Sequence, residues 1–177
     1  AWSIVAGQLP RLTMTNANLT GVSSEYFTKD LDEETIGNEE NSPEDNRATF
    51  LRYIEQCREE ANAIENKKYV LASDIDLTGI TWEPIALINS VFDGNGHTIS
   101  GLNLTAGVNN DLGLFSSIDN STVKDLTISD VTINASVTNA GALAGQITST
   151  SANSVSTISN VNVTFADDDI SGTITNL

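Results

Sequence analysis

The chain has one cysteine, one histidine, three prolines and eight cationic side chains among its 177 residues, and each scarcity excludes something. Cys57 has no partner for an internal disulfide, and His97, the only histidine, leaves no Cys/His cluster for zinc or haem. Ser-His or Cys-His catalysis would rest on His97 alone. Eight Lys and Arg against 24 Asp and Glu give a formal charge of −16. Such a surface repels phosphate backbones, so nucleic acid is excluded as a partner. The longest apolar runs, Ile85–Ile88 and Gly141–Gly145, fall far short of the ~18 residues that cross a bilayer, so no transmembrane segment is expected. The sequence opens Ala1-Trp2-Ser3 with neither Met nor a basic, apolar leader, and a targeting segment is expected to have been removed or to lie upstream.

What is abundant is small and uncharged: 20 Thr, 19 Asn and 18 Ser. With so few prolines this composition suits a folded, β-rich domain better than a disordered one. Asn-x-Ser/Thr sequons stand at Asn18, Asn103, Asn120, Asn134 and Asn162, several of them expected by chance in such a composition.

Charge divides the chain near residue 68. Residues 1–68 hold seven basic and thirteen acidic side chains, whereas residues 69–177 hold Lys124 and eleven acids. We take 1–68 as an N-terminal strand segment, an acidic loop and a capping helix, and 69–177 as a repeat region, the two forming one structural unit or a segment of a longer chain. Leu31–Asn41 (LDEETIGNEEN) reads as the solvated acidic loop, because its spacing fails the calcium-loop pattern. A helix is predicted over residues 43–67, with Ser42 as cap, Pro43 in its first turn and Asp45 completing a capping box. Phe50, Leu51, Ile54, Cys57, Ala61 and Ile64 form its apolar stripe. On that stripe Cys57 reads as a core hydrophobe rather than a reactive thiol.

From Tyr69 the apolar period becomes two, in short runs separated by Gly, Asn, Asp and Ser. Three octapeptides, Thr98–Thr105, Thr122–Ser129 and Thr157–Thr164, share apolar residues at their second, fifth and seventh positions. Between them fall Gly113-Leu-Phe115 and Gly141-Ala-Leu143-Ala-Gly145. Two motifs alternating in one order predict stacked coils. The expected fold is mainly β: a right-handed single-stranded parallel β-helix with one N-terminal capping α-helix. Ile99, Leu102, Leu104, Val123, Leu126, Ile128, Ile158, Val161 and Val163 should point inward.

Tyr69-Val-Leu-Ala-Ser-Asp-Ile-Asp-Leu77, Trp82-Glu-Pro-Ile85, Phe92-Asp-Gly-Asn-Gly-His-Thr-Ile-Ser-Gly-Leu102 and Gly113-Leu-Phe115 follow in an order that resembles bacterial surface proteins with GLUG-motif repeats, themselves similar to filamentous-haemagglutinin-like adhesins. The resemblance spans about residues 69–164, and Trp2–Leu12 resembles the phrase that closes a neighbouring unit in such proteins. Ser116 replaces the closing glycine of the first GLUG phrase and the second carries an extra residue. The resemblance implies a β-helical, extracellular or cell-surface scaffold with an adhesive role and brings no catalytic residues with it.

The candidate chemical groups are few. Asp93-Gly-Asn-Gly96 reads as a tight corner with His97 a polar residue beside it; the catalytic alternative joins His97 to Asp93 or Asp76. Asp74 and Asp76 alternate with apolar neighbours and face outward, where a carboxylate pair would suit glycosidic cleavage, although Lys68 is the one cation expected near Asp74, Asp76 or Asp93. Asp167-Asp168-Asp169 reads as a solvated loop, with calcium as its alternative. No catalytic residue and no cofactor is assigned. The leading expectation is a noncatalytic adhesive or structural module whose partner is a surface glycan or a protein; a filament subunit and a carbohydrate-active enzyme are the alternatives. The strand pattern Ile170–Leu177 further predicts neighbouring domains beyond Leu177, or identical chains stacking end to end through residues 1–20.

Overall fold

The computed structural model describes residues 31–105, 111–150 and 154–176, apart from the side chains of Asp32 and of residues 166–169. Residues 31–177 make one compact unit. The expectations placed on Trp2–Leu12, on the Asn18 sequon and on residues 1–20, and those on the side chains of Asp167–Asp169, lie outside what is described.

The unit begins with a strand, β1 (Asp32–Ile36), where the sequence reads as a loop. The correction has an electrostatic cause: β1 pairs in parallel with β3 (Lys67–Leu71), so the acidic run lies along a basic one, with Glu33 2.5 Å from Lys68. Ile36 supplies the buried anchor. Helix α1 (Pro43–Ala61) follows. The Asp45 N–H donates to the Ser42 hydroxyl at 3.1 Å, and that hydroxyl donates to the Asp45 carboxylate at 2.9 Å. The helix stops six residues before the predicted end because Asn62 takes a left-handed φ of 52° while its N–H caps Arg58. Phe50, Ile54 and Cys57 are buried on the predicted stripe. Leu51 is half-buried, Ala61 is exposed, and Ile64 is buried from β2 (Ala63–Glu65) instead of the helix.

Thereafter, among the described residues, the chain moves repeatedly among three sheets whose every pairing is parallel. The largest contains β1, β3, β4 (Ile75–Asp76), β5 (Thr81–Trp82), β7 (Val91–Asp93), β8 (Thr98–Ser100), β9 (Asn103–Thr105), β12 (Thr122–Asn134) and β15 (Thr157–Ser171). The second runs β2, β6 (Ile85–Ile88), β11 (Phe115–Asp119), β14 (Ala144–Thr148), and the third β10 (Asp111–Leu112), β13 (Val137–Ala140), β16 (Ile174–Asn176). Register gathers like residues into columns. Ile64 lies opposite Leu87, which is followed by Ile118 and Ile147. In the largest sheet Tyr69, Phe92, Val123 and Ile158 form one column, and Ile75, Ile99, Ile128 and Val163 another. Phe92 meets Phe115 across the interior edge to face, with ring centroids 5.4 Å apart.

The repeat predicts that equivalent positions of the three octapeptides stack and point inward, and both expectations need correction. Thr98–Ser100 pairs with Thr127–Ser129 rather than with Thr122, while Thr122 sits on Val91. The spacing of apolar residues repeats every five positions inside β12, so Val123/Leu126/Ile128 and Ile128/Val131/Ile133 offer the same pattern, and pattern alone does not choose between them. The second and third octapeptides do pair in register, from Thr122 with Thr157 to Ile128 with Val163. Ile99, Leu102, Leu104, Val123, Leu126 and Ile128 are buried, but Ile158 and Val163 remain 37% and 38% exposed and Val161 only partly covered. These three lie on β15, whose sole strand partner among the described residues is β12.

Candidate functional site

The corners of the stack are built from left-handed Asn and Asp. Asn66, Asn89 and Asn120, each just before a strand of the largest sheet, have φ of 55°, 49° and 48°. A short polar side chain tolerates this conformation better than other non-glycine residues do. The Asn120 side-chain amide donates to Asn89 at 2.8 Å. Beside them runs a buried serine column: the Lys67 N–H donates to Ser90 Oγ, and the Ser90 N–H to Ser121 Oγ, at 3.1 and 3.0 Å. The two hydroxyls in turn donate to strand carbonyls at Ile88 and Asp119. Sequence reading missed this framework, although Asn-Ser recurs at Asn89 and Asn120 and was its signal.

His97 belongs to another corner. Asn95 and Gly96 have φ of 50° and 84°, the Gly96 N–H donates to the Asp125 carbonyl at 2.8 Å, and Gly94 lies so close to the next layer that a Cβ there would stand 2.4 Å from that same carbonyl. The geometry joins His97 to Asp74, not to Asp93 or Asp76: Nδ1 is 3.3 Å from Asp74 Oδ1, which accepts the Thr98 N–H at 2.8 Å. Asp76 accepts the Thr78 N–H at 2.8 Å, and the Thr78 hydroxyl and amide hold its carboxyl below the usual carboxylate range. Asp93 accepts the Asn95 N–H and lies 2.6 Å from Lys124 Nζ. Lys124, not Lys68, is therefore the cation beside Asp93, Arg47 acts on Asp76, and Lys68 is engaged by Glu33. Hydrogen bonding to Asp93 first, then to Asp125, raises the Lys124 ammonium above its ordinary value. Cys57 Sγ lies 2.9 Å from the buried Tyr69 hydroxyl, and burial, aided by Cys57, pushes that phenol well above its usual range.

An open groove of about 420 Å³ runs between the His97 corner and the turn after β1. Thr35, Asn38, Glu39, Glu40, Asn95 and His97 line it. The buried Asn46 of α1 fixes its far wall, accepting the Asn38 N–H and donating to the Asn38 carbonyl, both at 2.9 Å. The lining offers amides, a hydroxyl, an imidazole and two carboxylates, which suits a neutral ligand rich in hydroxyls and disfavours an anionic one. Nothing local in the sequence marks this groove, because its two walls are 60 residues apart and meet only where β1 and β7 pair on either side of β3. Among the described residues no group of three or more His, Cys, Asp or Glu is placed to hold a metal ion.

The two glycine phrases lie against each other. The Leu114 N–H donates to the Ala142 carbonyl and the Phe115 N–H to the Leu143 carbonyl, both at 2.9 Å. A Cβ at Gly113 would meet the Ala144 backbone at 2.6 Å, so the close approach of the strands requires glycine there. Leu112 pairs with Ala140 but Phe115 with Ala144; the extra residue of the second phrase is taken up inside the phrase itself. No helix among the described residues is long and apolar enough to cross a membrane. Compared with protein-family models, curated proteins and solved structures, the chain gives no match.

Proposed function

We propose that the chain is a right-handed single-stranded parallel β-helix of the GLUG-motif kind, serving outside the cell or on its surface as a noncatalytic module with an adhesive or structural role. The observation that carries the reading is the stacking of the two glycine phrases, which places equivalent positions of successive repeats one strand apart, as a coil of repeating units requires. The engagement of Asp74, Asp76 and Asp93 in corner hydrogen bonds supports a structural role for these carboxylates. Adhesion would use the polar groove beside His97, with a neutral surface glycan as ligand, since the rim carboxylates and the overall charge oppose an anionic one.

Glycan-array binding of the purified chain tests the adhesive role, and assay of reducing-sugar release on the bound glycans tests the absence of catalysis. Binding that falls at least tenfold in Asn95→Ala and Asn38→Ala, without sugar release, fits the reading. Turnover that disappears in Asp74→Asn or Asp76→Asn would replace it with a carbohydrate-active enzyme.

A further inference from the structure

Part of the outward side of the largest sheet is a regular lattice of small polar groups. In β8 the buried Ile99 lies between half-exposed Thr98 and Ser100, so both hydroxyls face outward. Parallel register stacks them: Thr98, Thr127 and Asn162 form one outer row, and Asp76, Ser100 and Ser129 the next. The chain then bends at Gly101 and Asp130, with φ of 69° and 52°. Past the bend come two further rows, Thr81, Asn103 and Thr132, then Thr105, Asn134 and Ser171.

Of these twelve positions eleven are Thr, Ser or Asn, and the exception, Asp76, lies at the margin on β4. Earlier in each layer the outer rows mix charge and hydrocarbon, as Glu33 and Lys68 do in one and Val70, Asp93 and Lys124 in the other. In a chain with 24 acids, a face with one carboxylate in twelve positions is set apart. Among the described residues, only Asp76 and Ser129 of the twelve engage their side chains in hydrogen bonds within the protein, to the Thr78 N–H and to the Asp130 carboxylate. The remaining hydroxyls and amides are presented outward with their capacity intact.

Members of a row stand one strand apart, ~4.8 Å, and the two rows on one side of the bend stand two residues apart, ~6.7 Å. A flexible ligand has no use for such a repeat, whereas a partner periodic in two dimensions does. An ionic mineral calls for rows of charge, which this face lacks. A crystalline polysaccharide calls for aromatic faces against its rings, and no aromatic side chain occupies the twelve positions. Oxygen rows on the prism plane of hexagonal ice repeat at distances close to both, and each oxygen donates and accepts as a hydroxyl does. We infer that this face binds ice. Threonine suits the task because its β-branch restricts χ1, which holds hydroxyl and methyl in place before contact. Water ordered between neighbouring rows takes the lattice spacing, and many weak contacts act at once. The inference goes beyond the glycan reading and uses none of the residues lining the groove.

Ice-affinity partition of the full purified chain tests this. The chain should be enriched in slowly grown ice, and small ice crystals held in its solution should become faceted. Thr127→Tyr, which drives a ring out of the centre of the first row, should abolish both effects, as should Thr98→Tyr one layer away. Thr138→Tyr, at an exposed position of β13 in the third sheet, should change neither. Ser100→Thr with Ser129→Thr should raise uptake by making the second row more regular. Thermal melts identify which variants fold. Exclusion of the unaltered chain from ice overturns the inference whatever the variants do, and so does uptake that persists in folded Thr127→Tyr or Thr98→Tyr. Retention on insoluble chitin or cellulose without ice uptake overturns it in favour of a crystalline polysaccharide.

Discussion

The two ends of the stack are made from the same kind of apolar column yet meet water differently. At the α1 end the apolar columns finish in Ile64 and Tyr69, 0% and 1% exposed, Ile64 against the helix and Tyr69 beside it with Glu34 of β1 in the next register position. At the β15 end they finish in Ile147 and Ile158, 58% and 37% exposed. Burial of a large aliphatic side chain stabilises by about 1.5–3 kcal/mol, so equivalent positions in one column carry unequal weight. A column specifies register along its whole length, whereas its contribution to stability depends on what lies over its last member.

The largest test of that contrast is at Ile54, 3% exposed on α1. Ile54→Ala should cost about 3 kcal/mol in urea denaturation, and Ile54→Asp should leave no cooperative transition; an unchanged midpoint in both would break the comparison. Next comes the interior of the stack. Ser121→Ala strands the buried Ser90 N–H and should cost about 2 kcal/mol, sharpening the view that corners hold the middle as firmly as the columns do.

A smaller effect is expected at Lys124, whose ammonium is held by Asp93 and Asp125. Its folded pKa is raised, so its contribution is full below the ordinary lysine value of about 10.4 and is lost as pH rises through the folded value. Thermal melts should therefore show an alkaline loss above about pH 10 that Lys124→Met reduces, the remainder belonging to Tyr69, whose buried phenol is also held above its usual range. The smallest effect belongs to the uncovered layer: Ile158→Ser in dilute solution should cost less than about 1 kcal/mol. A cost near that of Ile54→Ala would mean that the two ends are equivalent after all.

Much of this architecture was legible where one residue type has one physical use. Ser42 and Pro43 announced the start of α1, and the period-two runs after Tyr69 announced strands with an inward face. Other features depend on residues distant in sequence. The acidic segment at Glu33 becomes a strand because its backbone pairs with β3, where Lys68 meets Glu33 and Ile36 is buried, and the end of α1 depends on Asn62 adopting a left-handed conformation that nothing in the helical period forbids or requires. The offset between Thr98 and Thr122 was beyond reach because the apolar spacing is degenerate within β12. The groove beside His97 was hidden for a third reason: its walls belong to different layers, and the pairing of β3 with both β1 and β7 brings them together.

The corner framework also bears on how such a chain can change over generations. Two residues, Asn120 and Ser121, separate β11 from β12, but eight separate β14 from β15, and the strands on either side keep their register. Lengthening a closed loop fourfold costs only about 1.2 kcal/mol in closure entropy. Because register is fixed by hydrogen-bonded corners and apolar columns, insertions between strands need not disturb the stack. New surface can then be acquired at these connections while the interior is inherited unaltered.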